Sequence, residues 1–314
     1  MREIVYKLPA EFIERLKKIY PKSYPRICES FASSGNHTFR INFLKTGLRE
    51  LREALNRDGV RYRELTWPKG SFSLESDIRD LQKTDTYKNG LIYVQNISSM
   101  IPPVLLDPRE NEKILDLCAA PGAKTSQIAS LAAGRSIELV AIEKIPVRFY
   151  KLQATLQLQG VDFAERIMMD GIAAKNKFPG YFDKVLLDAP CSCEGRFDLH
   201  DPSSYKYWKV RKIKEMAHKQ RGLLFSAVSC LREGGEMIYS TCTFAPEENE
   251  EILDWALRKF ETLEIVPLEL PLSNISSGMT SWEGKTYSPA VKHALRVIPH
   301  DMMEGFFIAK LRKK

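Results

Sequence analysis

Residues 113–126 read KILDLCAAPGAKTS, an apolar run that ends in small residues around Gly122. The run is strand-sized, and the segment after Gly122 has the length and amphipathic pattern of a helix. A glycine in such a turn lets the backbone approach a ligand closely. We therefore predict a buried strand, a tight turn, and a helix whose first N–H groups face a bound group.

The same strand-then-helix pattern repeats from residue 112 onwards. The apolar runs, each ending in a polar or reactive residue, are KILDLC (113–118), ELVAIE (138–143), ERIMMD (165–170), KVLLDA (184–189) and EMIYSTC (236–242). Helix-length segments lie at about 121–133, 146–159, 205–231 and 247–260. This alternation predicts an α/β fold with a doubly wound, Rossmann-like parallel sheet. Ligands of such sheets bind beyond the carboxyl ends of the strands.

The residues before 105 follow a different pattern. TFRINFL, GLRELREALNRDG, VRYREL, SFSLE, DIRDLQK and LIYVQN predict strand–helix–strand–strand–helix–strand, after one or two helices between 9 and 33. This order resembles a small RNA-recognition-type (RRM-like) α+β unit. We interpret MIPPVLLDP (100–108) as a linker, and we predict two domains, residues 1–105 and 106–314.

The composition is that of an ordinary globular protein. Of the 314 residues 44% are hydrophobic and 28% are charged, and no apolar run approaches the roughly 20 residues of a membrane span. The start, MREIVYKLPAEF, lacks the apolar core of a signal peptide. The six cysteines are scattered along the chain, which favours reduced thiols over a disulfide framework. We expect a cytoplasmic protein with no membrane partner.

Positive charge is concentrated in two places. Residues 1–100 contain 18 Lys and Arg against 12 Asp and Glu, and YKYWKVRKIKEMAHKQR (205–221) contains seven basic residues and one Glu. Basic stretches interleaved with Tyr and Trp suit contact with RNA or DNA, with rings available for stacking. A solvated helix face would have the same composition.

The loop around Gly122 excludes two nucleotide-binding motifs. A P-loop needs glycine directly before the Lys–Thr pair and five residues earlier, where Ala123 and Cys118 stand. The three glycines of a dinucleotide fingerprint are also missing. A helix N-terminus with Lys124 beside it instead favours an anionic group such as a carboxylate.

Two carboxylates end the next strands and complete a candidate cofactor site. Glu143 stands where ribose hydroxyls would donate to it, and Asp170 where an adenine amino group would. A nucleoside that carries an amino acid, S-adenosylmethionine, fits this set; alternatively the carboxylates cap helices or pair with Arg148. The predicted cofactor-binding residues are Cys118, Ala119, Ala120, Pro121, Gly122, Ala123, Lys124, Glu143, Arg148, Asp170 and Asp188.

Three motifs resemble those of a known family. CAAPGAKT (118–125), DAPCSCEG (188–195) and YSTCTFAPEENE (239–250) look like the motifs of the Nop/Sun (RsmB/Nop) family of RNA cytosine-5 methyltransferases. FRINFLK (39–45), YVQNISSMIPP (93–103) and RVIPH…EGFFIAKL (296–311) resemble its other signatures. The resemblance covers roughly residues 37–312. It implies a class I methyltransferase domain, S-adenosylmethionine as cofactor and structured RNA as substrate.

The paired cysteines fit the chemistry of that family. Cytosine C5 is a poor nucleophile, and a thiolate that adds to C6 turns C5 into an enamine-like carbon able to attack the sulfonium methyl. From the residues alone either cysteine could attack. The resemblance implies that Cys242 is the nucleophile and that Cys191 assists release of the adduct. Asp188 is expected to hold the N3/N4 edge of the cytosine.

The chain departs from the family pattern at Ala123 and Cys193, where glycine is common. Cys193 forms a C-x-C pair with Cys191, which suggests a metal site together with Cys118 or Cys242. Without a second spaced pair or a nearby histidine the pattern is weak. We therefore expect no metal, and we interpret Cys193 as a turn residue.

Two other functions share part of this pattern. An amino-group methyltransferase would carry Asp or Asn followed by Pro-Pro-aromatic, where this chain has DAPC (188–191). A non-catalytic RNA-binding or assembly factor would keep the basic surface yet tolerate loss of a cysteine. Among RNAs, ribosomal RNA is favoured slightly over tRNA because the N-terminal organisation resembles bacterial ribosomal members. We expect a monomer.

Overall fold

The structure, a computed structural model, describes residues 7–33 and 35–314, so the first six residues of the predicted N-terminal domain lie outside it. The α-helices are Ala10–Ile19 (α1), Tyr24–Ser30 (α2), Leu48–Arg57 (α3), Ile78–Lys83 (α4), Asp85–Lys88 (α5), Ile97–Leu106 (α6), Ala123–Leu131 (α7), Pro146–Leu158 (α8), Ala174–Lys177 (α9), Val210–Cys230 (α10) and Glu250–Lys259 (α11). The strands are Thr38–Ile41 (β1), Tyr62–Glu64 (β2), Ser71–Leu74 (β3), Ile92–Val94 (β4), Lys113–Asp116 (β5), Glu138–Glu143 (β6), Glu165–Met168 (β7), Phe182–Asp188 (β8), Leu231–Thr241 (β9), Leu263–Val266 (β10), Ile275–Ser277 (β11), Ser281–Trp282 (β12), Lys285–Thr286 (β13), Leu295–Val297 (β14) and Phe306–Lys313 (β15). Within the described ranges, none of the helices combines the length and hydrophobicity that a bilayer crossing requires.

The described chain forms two compact units. We call residues 36–188, 225–238 and 313–314 the sheet unit, and residues up to 35 together with 189–224 and 239–312 the thiol unit. The chain passes from one unit to the other within α10 and within β9. The domain boundary predicted between residues 105 and 106 stays a prediction.

The sheet unit contains a parallel sheet in the order β9–β8–β5–β6–β7. β5 pairs in parallel with both β6 and β8, so that Leu115 lies opposite Val140 and Val185. All three side chains are fully buried, as expected of strands covered on both faces. The predicted Rossmann-like α/β fold is confirmed, and antiparallel pairs among β11, β14 and β15 make the chain's sheet content mixed.

The sheet unit also contains a four-stranded antiparallel sheet in the order β2–β3–β1–β4. Phe39 and Phe72 stack at its centre with ring centroids 5.1 Å apart, and Leu51 and Leu55 of α3 are buried in the same core. The predicted order strand–helix–strand–strand–helix–strand is confirmed, with α5 as an additional short helix.

Buried polar groups fix this small sheet to the start of α7. Arg40 of β1 donates to Gln95 Oε1 at 2.8 Å, Ser126 Oγ at 2.8 Å and the Ala123 carbonyl at 2.9 Å. Burial lowers the pKa of Arg40 to about 9. Arg40 therefore supports the loop around Gly122, and it does not contribute to the exposed positive charge of the first 100 residues.

The interpretation of residues 100–108 as a linker is wrong. Most of that stretch belongs to α6, which Asn96 caps by accepting a hydrogen bond from the Ser98 N–H at 3.0 Å. Two prolines, Pro102 and Pro103, lie inside the helix, where proline is ordinarily destabilising. Burial of Met100 and Ile101 stabilises the helix despite them.

The thiol unit is organised around an aromatic cluster. Phe12 of α1 packs against Phe31, Phe197 and Trp208, with ring centroids 4.8–6.1 Å apart. α1 and α2 are the two helices predicted between residues 9 and 33. The cluster fixes the segment that follows the DAPCSCEG motif, because Phe197 lies two residues after it.

Candidate active site

The loop between β5 and α7 has the predicted tight turn. Gly122 has a φ of 104°, and a Cβ atom there would lie 3.0 Å from Thr155 Cβ. Its N–H donates to the Ala119 carbonyl at 2.8 Å, and the Ala119 N–H donates to the Ile142 carbonyl at 2.9 Å. Only glycine meets both the conformational and the steric requirement at this position.

Asp116, at the end of β5, connects the strand to the helix on the other side of this loop. Its buried carboxylate accepts a hydrogen bond from Thr125 Oγ1 at 2.7 Å. Burial raises the pKa of Asp116 to about 7 against the opposing effect of the Thr125 bond. Burial, with Asp116 and Glu143 nearby, also raises the pKa of the Cys118 thiol. Cys118 is therefore a neutral thiol in this loop.

Glu143 is placed at the end of β6 as predicted, but it also has local partners. Its buried carboxylate accepts from the Ile145 N–H at 2.9 Å and lies 3.5 Å from Arg148 Nη1. Arg148 in turn donates to the Ala120 carbonyl at 2.7 Å. Of the alternative contacts considered from the sequence, pairing with Arg148 is present, whereas no side chain caps the start of α8. The contacts with Ile145 and Arg148 fasten Glu143 to the loop.

Asp170 lies two residues beyond the end of β7, which stops at Met168. It accepts from the Ile172 N–H at 3.0 Å and from Lys144 Nζ at 2.6 Å. Burial alone would raise the pKa of Asp170, but these hydrogen bonds outweigh it and the pKa is lowered. Ile145 and Ile172, next to the two carboxylates in sequence, expose 48% and 36% of their surface. They offer apolar faces to a flat ring, and sequence reasoning did not single them out.

Lys124 is held by a carboxylate of its own unit. Its Nζ donates to Asp188 Oδ2 and to Ser99 Oγ, both at 2.7 Å. The lysine that the sequence suggested for an anionic ligand therefore orients Asp188. Ser99 was not among the predicted site residues.

In the thiol unit the structure brings Cys191 and Cys242 together and adds a third thiol. The Sγ atoms of Cys191 and Cys242 are 3.4 Å apart, and that of Cys193 is 3.9 Å from Cys191. The three sulfur atoms all lie within 4.8 Å of one another. Cys193 has a φ of 60°, a conformation that favours glycine.

The three thiols differ in the direction of their pKa shifts. Hydrogen bonds from Cys191 and Cys242, with positive charge from Arg196 and Lys212, lower the pKa of the Cys193 thiol. Hydrogen bonds with Cys193 and Cys242, together with burial, raise the pKa of Cys191. For Cys242 the bond from Cys191 lowers the pKa, but the bond with Cys193 and burial outweigh it and the net shift is upward. Cys191 lies within 3.9 Å of both other sulfur atoms, so its thiol can stabilise a thiolate on either of them.

A chain of polar groups connects the two cysteine-bearing segments. Glu248 contacts Ser192 Oγ, Ser192 Oγ lies 2.8 Å from Thr243 Oγ1, and Thr243 Oγ1 donates to Glu194 at 3.0 Å. The two hydroxyl groups supply only two protons for these three contacts. One of the two carboxyl groups must supply the third, and burial raises the pKa of both, to about 8 for Glu248. We assign this proton to Glu248.

The backbone at the two segments is also fixed. The Gly195 N–H donates to the Cys242 carbonyl at 2.9 Å, and a Cβ atom at Gly195 would lie 2.1 Å from the Gly305 carbonyl oxygen. Asn249 accepts from Thr241 Oγ1 at 2.6 Å and donates to the Thr243 carbonyl at 2.9 Å. The residues on both sides of Cys242 are thus hydrogen-bonded to the side chain of one asparagine.

We predict that Glu248→Gln flattens the pH dependence of stability. The folded-state pKa of about 8 lies above the ordinary carboxyl value, so the stabilisation from this proton is complete at low pH and is lost as the pH rises through about 8. The slope is at most about 1.4 kcal/mol per pH unit. Urea denaturation from about pH 5 to 9 measures it. The raised pKa values of Asp116 and Glu194 contribute to the pH dependence in the same direction. The slope of unfolding free energy against pH is therefore compared between the variant and wild type. Equal slopes would contradict a proton on Glu248.

Comparison with known proteins places the chain in a family. The family model described as 16S rRNA methyltransferase RsmB/F matches residues 103–312, more than half of the chain. The chain belongs to the RsmB/F methyltransferase family. A second model, the N-terminal domain of 16S rRNA methyltransferase RsmF, matches residues 8–97.

Curated RsmB/F relatives and a solved structure agree with this membership. The tRNA (cytosine(49)-C(5))-methyltransferase of Pyrococcus abyssi is 37% identical over 281 residues, which are 88% of each chain. The ribosomal RNA small subunit methyltransferase F of Pectobacterium carotovorum is 33% identical over 98% of this chain, but this chain spans only 63% of it. A methyltransferase homolog protein from Pyrococcus horikoshii has a TM-score of 0.85 at 31% identity, with full coverage of both chains. The predicted resemblance to Nop/Sun-type enzymes is confirmed.

Proposed function

We propose that this protein is an S-adenosylmethionine-dependent RNA cytosine-5 methyltransferase. The observation that carries the proposal is the pair of thiols, Cys191 and Cys242, 3.4 Å apart in a chain of the RsmB/F family. Two cysteines in contact have no use in transfer to an amino group, which needs no covalent addition to the base. They match a reaction in which one thiol adds to the ring and a second assists its release.

The residues of the sheet unit fit S-adenosylmethionine, which supplies an electrophilic methyl group when bound. The N–H groups at the start of α7 and the close-approach glycine Gly122 suit its carboxylate. Glu143 and Asp170 suit its ribose and adenine, with Ile145 and Ile172 as apolar faces for the ring. These assignments rest on the donors and acceptors present: a helix N-terminus for an anion, two carboxylates for hydroxyl and amino groups, and exposed apolar surface for a base.

In the proposed mechanism Cys242 is the nucleophile. Its sulfur adds to cytosine C6 after losing its proton; the hydrogen bond from Cys191 favours the ionised form, whereas the bond with Cys193 and burial oppose it. Asp188, oriented by Lys124, holds the N3/N4 edge as electron density moves into the ring. After methylation a base or solvent water takes the C5 proton, the electron pair of that C–H bond restores the C5–C6 double bond, and the Cys242 sulfur leaves C6 as a thiolate. Cys191 assists this release. If the cytosine lies in a duplex, it must be flipped out of the stack first.

An exposed basic surface in the thiol unit supports RNA as substrate. The cations of the 205–221 stretch that are exposed to solvent are Lys206, Lys209, Arg211, Lys212, Lys214 and Lys219. Of the rings expected to be available for stacking, Tyr205 and Trp208 are instead buried in the aromatic core. Tyr207 remains 75% exposed, with Lys206 Nζ 4.8 Å from its ring centroid.

We predict that Tyr207→Ala raises the KM for RNA by about fivefold or more, because stacking of one base on an aromatic ring contributes about 1–3 kcal/mol. The KM for S-adenosylmethionine should stay unchanged. Steady-state kinetics with each substrate varied in turn measures both constants. Tyr207→Phe, which keeps the ring, is the matched control, and equal RNA constants for the alanine and phenylalanine variants would contradict a stacking role.

We favour ribosomal RNA as the substrate, because residues 8–97 match the N-terminal model of a ribosomal RNA enzyme. Transfer RNA is the alternative, supported by the relative from Pyrococcus abyssi. We also propose that the protein acts as a monomer, which light scattering after gel filtration would test.

A methyl-transfer assay tests the proposed function. Unmodified transcripts of small-subunit ribosomal RNA and of tRNA are incubated with methyl-labelled S-adenosylmethionine, and nucleosides from the RNA are identified by mass spectrometry. We expect 5-methylcytidine from one transcript class. Methyl groups on N4 of cytosine or N6 of adenine would overturn the reaction. Tight RNA binding without transfer would favour the non-catalytic assembly factor.

A further inference from the structure

The third thiol, Cys193, has no role in the mechanism proposed above, which needs only the two sulfur atoms of Cys191 and Cys242. Yet Cys193 occupies a left-handed backbone conformation, φ 60°, that is strained for any residue except glycine. Its sulfur lies 3.9 Å from Cys191 Sγ and within 4.8 Å of the Cys242 sulfur. A side chain in a strained position with its reactive atom at the site calls for a functional explanation.

We propose that Cys191, Cys193 and Cys242 form a three-sulfur site for a thiophilic cation of the zinc class, and that the bound cation switches the enzyme off. The evidence for the metal site is the arrangement of the three sulfur atoms. Its effect on activity rests on the proposed function, because the cation would occupy the sulfur of the proposed nucleophile.

The distances between the sulfur atoms fit a single cation. With zinc–sulfur bonds of about 2.3 Å, two sulfur ligands of a tetrahedral ion are about 3.8 Å apart. The observed separations are 3.4 Å and 3.9 Å for the two contacts of Cys191. The third separation, between the sulfur atoms of Cys193 and Cys242, is at most 4.8 Å, and it would have to shorten by no more than about 1 Å to reach the tetrahedral value. Three protein ligands leave one coordination position open for water, as in many exchangeable zinc sites.

Positive side chains near the cluster can balance the net charge of the cation-bound site. Three thiolates and one divalent cation carry a net charge of −1. Arg196 and Lys212 provide positive charge near the sulfur atoms, and Arg196 is itself oriented by Glu304 at 3.3 Å. Binding converts three thiols into three metal thiolates, so up to three protons are released to solvent for each cation bound.

The site is tested with cadmium and zinc on the full chain, reduced and free of metal, without oxygen. Cadmium titration is followed by the ultraviolet sulfur-to-cadmium charge-transfer band, and zinc titration by the protons released. We expect one cation per chain in the wild type, with a band intensity of three thiolates. Cys193→Ser keeps the size of the side chain but removes the third sulfur. Loss of an outer-shell partner alone lowers metal affinity about 10–100-fold, so loss of a direct ligand should cost about 100-fold.

Methylation assays with added zinc test the switch. Zinc should inhibit the wild type reversibly, with activity restored by a chelator, and Cys193→Ser should need about 100-fold more zinc relative to its own metal-free rate. Cys28→Ala, which removes a buried thiol outside the cluster, should behave as wild type. Equal cation affinity of wild type and Cys193→Ser, or no binding by either, would overturn the site. A metal-free protein that binds cadmium but methylates no RNA would overturn the proposed function and leave the site standing.

Discussion

Cys242→Ala is expected to abolish RNA methylation, and Cys191→Ala is expected to leave the protein covalently attached to its RNA. The two sulfur atoms lie 3.4 Å apart in the same half-buried cluster, yet their proposed roles come at opposite ends of the reaction. Without the Cys242 sulfur, C5 is never activated, and the rate should fall below detection. Without Cys191, addition and methyl transfer proceed but release of the adduct is impaired.

The covalent complex can be isolated and its RNA identified. Cys191→Ala is expressed in its native cell and purified under denaturing conditions, which remove all RNA that is not covalently bound. Sequencing of the attached RNA then gives the target cytosine directly. The double variant with Cys242→Ala is the matched control, because it has lost both sulfurs and should carry no RNA.

Each outcome distinguishes between the roles. An adduct in Cys191→Ala that disappears in the double variant assigns Cys242 as nucleophile. An adduct in Cys242→Ala instead would exchange the roles of the two cysteines. Methylation that persists in Cys242→Ala would contradict a covalent mechanism through Cys242. It would favour methyl transfer to an amino group instead.

The parallel sheet could be predicted from the sequence because its signal is local. Runs such as ELVAIE (138–143) are buried on both faces, and the polar residue at the end of each run marks the edge where ligands bind. The pairing of Cys191 with Cys242 was also predictable, but only from the family motifs. Nothing in the spacing of two cysteines 51 residues apart indicates a contact of 3.4 Å.

The wrong predictions concern features that depend on contacts between distant residues. Residues 100–108 were interpreted as a linker, but burial of Met100 and Ile101 stabilises a helix there. Trp208 was expected to be available for stacking, but its indole donates to the buried Glu194 at 2.9 Å. Glu194 and Glu248 stand in the quoted motifs, and their position next to the cysteines was the one signal that could have identified them. Their function as a proton-sharing chain requires the folded arrangement.

Arg296→Met is expected to lower the free energy of unfolding by about 3–5 kcal/mol, the effect of breaking a buried ion pair. The guanidinium of Arg296 donates to both oxygens of Glu250 at 2.6 and 2.5 Å, and both side chains are almost completely buried. Burial alone would lower the pKa of Arg296, but Glu250 and Tyr20 outweigh it and the pKa is raised. The variant leaves the Glu250 carboxylate without its cation in the interior.

The arginine also connects this pair to the candidate active site. Its Nη1 donates to the Phe244 carbonyl at 2.9 Å and to Tyr20 Oη at 3.1 Å, and Phe244 is two residues from Cys242. We therefore expect methylation by Arg296→Met to fall even at temperatures where the variant is folded. Circular dichroism at the assay temperature separates this effect from unfolding.

A double-mutant cycle distinguishes the buried charge from lost packing. Removing both partners of a buried pair is often close to neutral, whereas removing one is strongly destabilising. Arg296→Met combined with Glu250→Gln should therefore be clearly more stable than the sum of the two single changes predicts. Urea denaturation provides the free energies, and Arg211→Met, which breaks a pair whose arginine side chain is 88% exposed, should change them by less than about 1 kcal/mol. Additive effects in the Arg296–Glu250 cycle would show that packing around the arginine, and not its ion pair, stabilises the segment that carries Cys242.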